Sequence, residues 1–131
     1  MPFDIVSESV RRGRSDRGRT NFHAGHAAEL AVARLYESRG VAICARRWRG
    51  HSGEIDLVGR LGDEVIVIEV KQSRTHDLAA SHVSPGQVGR IFATAEEFLA
   101  GEPKGLLTDL RIDLALVDGQ GRIEVLENAF A

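Results

Sequence analysis

Asp56, Glu69 and Lys71 are the residues of this 131-residue chain best placed to do chemistry. They stand in two stretches, Gly53-Glu54-Ile55-Asp56-Leu57 and Ile68-Glu69-Val70-Lys71, at the ends of strongly apolar segments. An acid and a base separated by one valine, after the run Val65-Ile66-Val67-Ile68, are costly if buried. Charge next to a core is normally paired or holds a metal. Two carboxylates offer hard oxygen ligands, and a nearby ammonium can steady developing negative charge, a combination suited to hydrolysis of a phosphate ester.

The segment between the two stretches sets their register. Gly62-Asp63 between apolar alternations is a two-residue hairpin signal, with Gly62 supplying the positive φ of a type II′ turn. Leu61 then pairs with Glu64, and Arg60–Val65, Val58–Val67, Asp56–Glu69 and Glu54–Lys71 share one side. Gly59–Ile66, Leu57–Ile68 and Ile55–Val70 fall on the other. Opposed acids repel at the ~5 Å between facing Cβ atoms, so an Asp56–Glu69 pair invites a divalent cation. The competing reading is structural, with Glu54 and Lys71 forming an ordinary cross-strand salt bridge.

The elements that position these residues follow from periodicity and punctuation. A helix is expected over about 24–39, with apolar stripe Ala28, Ala31, Val32 and Leu35 and with Gly40 as its left-handed cap. Glu29 lies at the border of that stripe, within reach of a packed sheet or of water. A strand from Val41 to about Arg49 precedes the hairpin, and 73–81 reads as a polar loop. Ser84 and Pro85 open a second helix carrying Val88, Ile91, Phe92, Ala95, Phe98 and Leu99. Strands over Arg111–Val117 and Ile123–Leu126 close the chain. This order predicts an α/β fold, a mixed central sheet flanked by helices.

Length gives one domain over 23–131, preceded by a basic tail over 1–22 that is expected to be disordered. Arg11, Arg12, Arg14, Arg17 and Arg19 lie in that tail. The tail is either a phosphate-gripping arm or simply a solvated segment. Arg46-Arg47-Trp48-Arg49 is a second basic cluster, with an indole that either stacks on bases or packs into the core. Net charge is −2 and pI about 6.2, so polyanion binding has to come from such patches. Cys44 is the single cysteine, which fits a reducing, cytoplasmic setting. No run approaches the ~20 apolar residues that span a bilayer, and no signal segment is evident. A zinc site from His23, His26, His51, His76, His82 and Cys44 finds no motif spacing. A Cys44 nucleophile is disfavoured by its apolar strand.

Taken together, Gly25 through Glu29 followed by Ala31, Arg46–Arg49, Gly53–Leu57, Glu69-Val70-Lys71 and Arg111-Ile112-Asp113 resemble the bacterial uncharacterised family named for YraN, also known as UPF0102. The resemblance covers most of the chain after the tail. It implies a restriction-endonuclease-like αβββαβ core of the Holliday-junction-resolvase branch. Asp56 and Glu69, helped by the Val70 carbonyl, would then hold Mg²⁺ (or Mn²⁺). Lys71 would orient or activate the attacking water, and Glu29 would complete the metal shell through water. The implied activity is cleavage of DNA, branched or otherwise structured. The alternative is a non-catalytic nucleic-acid-binding or adaptor domain on the same fold. Arg46, Arg47, Trp48, Arg49 and Arg90 are the expected nucleic-acid contacts within the domain. Resolvase-like enzymes act as dimers, and an exposed face of the hairpin is the candidate seam for a homodimer. The chain departs from the family pattern at Arg47, where Asn is usual, at Ala28 for Gly, at Gln72 for Thr, and at Gln87 for a basic residue.

Overall fold

The computed structural model describes the backbone of residues 14–130 and the side chains of residues 25–130. Among these residues, five strands form one sheet in the order β1-β2-β3-β4-β5: Ala42–Arg49, Glu54–Leu61, Glu64–Gln72, Leu110–Val117 and Ile123–Leu126. All neighbours are antiparallel except β3 and β4, which run parallel and need a crossover. Helix α1, Arg14–Ser38, covers one face, and α3, Pro85–Leu99, covers the other. A short helix, α2, His76–Ser81, stands at the start of the crossover.

Alternation along the strands divides the core into two layers. Ile66, Ile68, Val70, Ala115 and Val117 join Ala28, Val32, Ala33 and Tyr36 on the α1 side. Val65, Val67 and Ile112 join Ile91, Ala95 and Leu99 on the α3 side. β2 and β3 are thus buried on both faces, each apolar side chain contributing ~1.5–3 kcal/mol. The hairpin has no open face for a dimer seam, contrary to expectation, because a helix covers each side.

Several elements stand where punctuation puts them. Gly40 takes φ 89° after α1. Gly62 takes φ 62° in the hairpin turn, and Asp63 keeps an ordinary negative φ, as a type II′ turn requires. Ser84 and Gln87 form a capping box around Pro85. Gln87 therefore has a local structural duty at the position where a basic residue was the expected family pattern.

Other expectations need correction. α1 begins at Arg14, so the expected tail is helical from that residue on. Arginine is a good helix former and no proline interrupts 14–24. Arg11 and Arg12 lie outside the described residues, as does the side chain of Arg14. The buried stripe of α1 is Ala28, Glu29, Val32, Ala33 and Tyr36, rotated relative to the expected one. That rotation brings Tyr36 Oη onto the buried Asp113, 2.7 Å away, and carries Glu29 inward. Within the expected loop 73–81, α2 forms because Thr75 caps it, accepting the Leu78 N–H, and Ala79 packs on Leu114 and Leu116.

Candidate functional site

The β2–β3 hairpin pairs as expected from Leu61–Glu64 down to Leu57–Ile68, and there the ladder ends. The expected pairs Asp56–Glu69, Ile55–Val70 and Glu54–Lys71 do not form. β2 stays with β1 through Trp48–Ile55 and Arg49–Glu54, while β3 stays with β4 to Gln72–Val117. The strands part where two carboxylates would meet. Side-chain alternation also breaks there: Ile55 packs with the α3 layer, Leu57 with the α1 layer and Val58 with the α3 layer again. Asp56 sits at this break, in the gap.

In that gap the Asp56 carboxylate takes over the missing ladder bond. Its Oδ2 accepts the Val70 N–H at 2.8 Å. A strand residue directs its N–H and C=O to the same side, so the Val70 carbonyl faces the same gap. Glu69 and Lys71 project on the α3 side, with Lys71 Nζ 3.7 Å from Glu69 Oε2. Glu69 Oε1 is buried without a hydrogen-bond partner. Glu69 also lines a small cleft of about 70 Å³ with Gly53, Glu54, Gln87, Arg90 and Thr94. Glu29 approaches from the α1 side, its Oε1 accepting from Arg47 Nε at 3.0 Å.

Asp56, Glu69 and Lys71 are 4%, 7% and 1% exposed, so water does little to screen them from one another. Burial pushes the Asp56 carboxyl up to about 7; the Val70 N–H opposes this and the charge of Glu29 adds to it. Burial pushes Glu69 up to about 8, reinforced by Asp56 and opposed by Lys71. Two acids held near neutrality, one with an orphaned oxygen, form a site short of positive charge. Hard oxygen donors in that state suit a divalent cation such as Mg²⁺ or Mn²⁺. Among the described residues, no three His, Cys, Asp or Glu side chains converge to cage an ion unaided. The zinc alternative finds no cluster among the described histidines and Cys44.

The expected nucleic-acid contacts divide. Arg46, Arg49 and Arg90 are exposed, Arg49 in an ion pair with Glu54. Arg90 stands at the lip of the cleft beside Glu69. Arg47, also exposed, reaches along the surface to pair with Glu29. Trp48 packs edge-on against Phe98, ring centroids 5.2 Å apart, as part of the α3 layer. The core-packing reading therefore describes the indole.

One residue escaped the sequence reading. Glu97 of α3 accepts the N–H groups of His51 and Ser52 and the Ser52 hydroxyl, at 2.6, 3.0 and 2.6 Å. It fastens the loop that delivers Glu54 and Asp56 into the gap. The Ser52 hydroxyl, with these N–H groups, draws its pKa below the usual carboxylate value. No spacing in the sequence announces it, since its partners are mainly backbone.

Residues 28–117 match the family model described as uncharacterised protein family UPF0102. The chain belongs to this family. A UPF0102 protein of Cereibacter sphaeroides is 58% identical over 114 residues, 87% of this chain and 97% of the relative. One of Ruegeria pomeroyi is 55% identical over 116 residues, 88% of this chain and 94% of its own length. A UPF0102 protein of Dinoroseobacter shibae is 44% identical over 119 residues, spanning 91% and 89% of the two chains. The UPF0102 match takes in Glu29, the β2–β3 gap and α3, and the sheet with its flanking helices is a restriction-endonuclease-like core. Among the described residues, no helix is long and apolar enough to cross a membrane.

Proposed function

We propose that this protein is a divalent-metal-dependent endonuclease acting on DNA, with Asp56, Glu69 and the Val70 carbonyl as cation ligands. The observation that carries the reading is the unpartnered, buried Glu69 Oε1 beside a second buried acid. Such an arrangement is expensive in a purely structural role and inexpensive when a cation completes it. When bound, the cation supplies neutralising charge and Lewis acidity toward a phosphoryl oxygen.

The chain's own groups do the rest. Lys71, buried beside Glu69, is positioned to donate hydrogen bonds to an attacking water or to a non-bridging phosphate oxygen, where charge grows in the transition state. Arg46 and Arg49 on β1 and Arg90 on α3 are exposed cations that can hold the flanking phosphates. The Glu97 clamp fixes the approach of β2, so that Asp56 keeps its aim. The cytoplasm is the setting that fits DNA as substrate, and structured or branched DNA is the first substrate class to try.

The test is calorimetric titration of Mn²⁺ and Mg²⁺ into wild type and Glu69→Ala, followed by cleavage assays on linear and branched duplexes. Binding that vanishes in Glu69→Ala, and cleavage that vanishes in Asp56→Ala and Lys71→Ala with folding intact, are the expected results. A second reading, a nucleic-acid-binding domain without turnover, draws on the incomplete ligand set. DNA affinity that survives Asp56→Asn, with no cleavage under any metal, would establish it instead.

A further inference from the structure

Arg47 is built unlike its neighbours. Among the described non-glycine residues only Arg47 and Asn128 have positive φ, 51° and 53°. That conformation suits Asn and disfavours a long side chain by ~1 kcal/mol or more. Something must hold Arg47 there. In β1, Arg46 pairs with Leu57 and Trp48 with Ile55, which leaves Arg47 across from Asp56 at the break in alternation. Trp48 packs toward α3, and the left-handed turn before it sends the Arg47 guanidinium the other way, onto Glu29 of α1. Glu29 in turn is close enough for its charge to act on Asp56.

Glu29 is thus a third acid near Asp56 and Glu69 that does not converge on them, and its cation differs in character from Lys71. Lys71 is sealed in, 1% exposed. The Arg47 side chain is 38% exposed and reaches its acid from the solvent side. Of these two, Arg47 has the open path back to water.

Building on the metal reading above, we infer that Arg47 is the site's internal counter-cation, a positioning residue that neutralises Glu29 until a divalent cation arrives. A cation entering beside Asp56 binds against that fixed positive charge, so Arg47 sets how tightly metal is held. Its left-handed backbone is the cost of putting the charge there.

Calorimetric titration of Mn²⁺ at low ionic strength into wild type, Arg47→Asn and Arg47→Lys tests this. Arg47→Asn removes the charge and suits the backbone, so it should bind Mn²⁺ about tenfold more tightly. Arg47→Lys keeps the charge and should stay near wild type. Arg47→Gly, free of backbone strain, should match Arg47→Asn and serves if that variant folds poorly. Mn²⁺ affinity that is unchanged or weaker in Arg47→Asn and Arg47→Gly, while wild type still binds through Glu69, overturns the counter-cation role and leaves the metal reading standing. Absence of binding in wild type and in both uncharged variants overturns both.

Discussion

The Val70 N–H donates to the Asp56 carboxylate across a gap where the hairpin ladder has already ended. One side chain thus does the work of a strand pair and leaves its second oxygen uncommitted by that bond. Asp56→Asn keeps an amide oxygen that can accept the same N–H, whereas Asp56→Ala leaves the N–H unpaired at a cost of ~1–3 kcal/mol. Both variants should lose metal binding, and Asp56→Ala should melt at the lower temperature. Thermal denaturation in EDTA distinguishes the two, and equal melting temperatures would deny the bond its structural role.

The raised pKa values of Asp56 and Glu69 fix a pH dependence. An acid whose folded pKa exceeds its unfolded value destabilises the fold as pH rises from the unfolded pKa to the folded one. Here the window runs from about 4 to about 7 for Asp56 and to about 8 for Glu69. In EDTA, wild type should therefore lose about 5 °C more than the Asp56→Asn, Glu69→Gln double variant between pH 5 and pH 8. Saturating Mn²⁺ should flatten or invert the wild-type slope, since ligation requires the ionised carboxylates. Parallel melting profiles of the two proteins in EDTA would contradict the assignment.

Asp113 anchors the far side of the sheet. It is fully buried and accepts from Tyr36 Oη, from Arg111 Nε and Nη2, and from the Asn128 N–H. Burial, with the Asp113 hydrogen bond, raises the pKa of Tyr36, so the phenol remains a donor at any working pH. Asp113→Ala should destabilise by ~3 kcal/mol, because it strands Arg111 and Tyr36 together. Tyr36→Phe should cost ~1 kcal/mol. Urea denaturation measures both, and neither change should alter Mn²⁺ affinity in the protein that remains folded.

Glu97 is tested through the loop it holds. Glu97→Ala should speed hydrogen exchange at the His51 and Ser52 amides by about tenfold or more, with protection in β3 and β4 unchanged. A cleavage defect in this variant, with normal core protection, would mark the clamp as a positioning device. Exchange as slow as in wild type would remove Glu97 from the account of the site.

The parts of the molecule written in local chemistry were legible in the sequence. Gly62-Asp63 fixed the hairpin register, Ser84-Pro85 the start of α3, and Gly40 the end of α1. Asp56, Glu69 and Lys71 stood out because charge beside a Val/Ile run is rare. What escaped depends on contacts distant in sequence. The parting of β2 from β3 follows from how each strand pairs on its other side. The inward rotation of Glu29 follows from Tyr36 reaching Asp113, 77 residues away. α2 was obscured because its only buried residue is Ala79, too small to produce a hydrophobic period. The left-handed Arg47 has no local signature at all.

The same turn at Arg47 bears on how copies of this chain treat one another. Among the described residues, β1 ends the sheet and one side of its backbone has no neighbouring strand. A flat, apolar strand in that position would template addition of a second chain, by the route that leads to aggregates. β1 instead shifts register between Ile43 and Ala45, takes a left-handed φ at Arg47 and carries charge at Arg46, Arg47 and Arg49. An incoming strand would lose its hydrogen-bond register within a few residues and meet like charge from an identical copy. The turn that carries Arg47 to Glu29 thereby also makes this edge a poor template for strand addition.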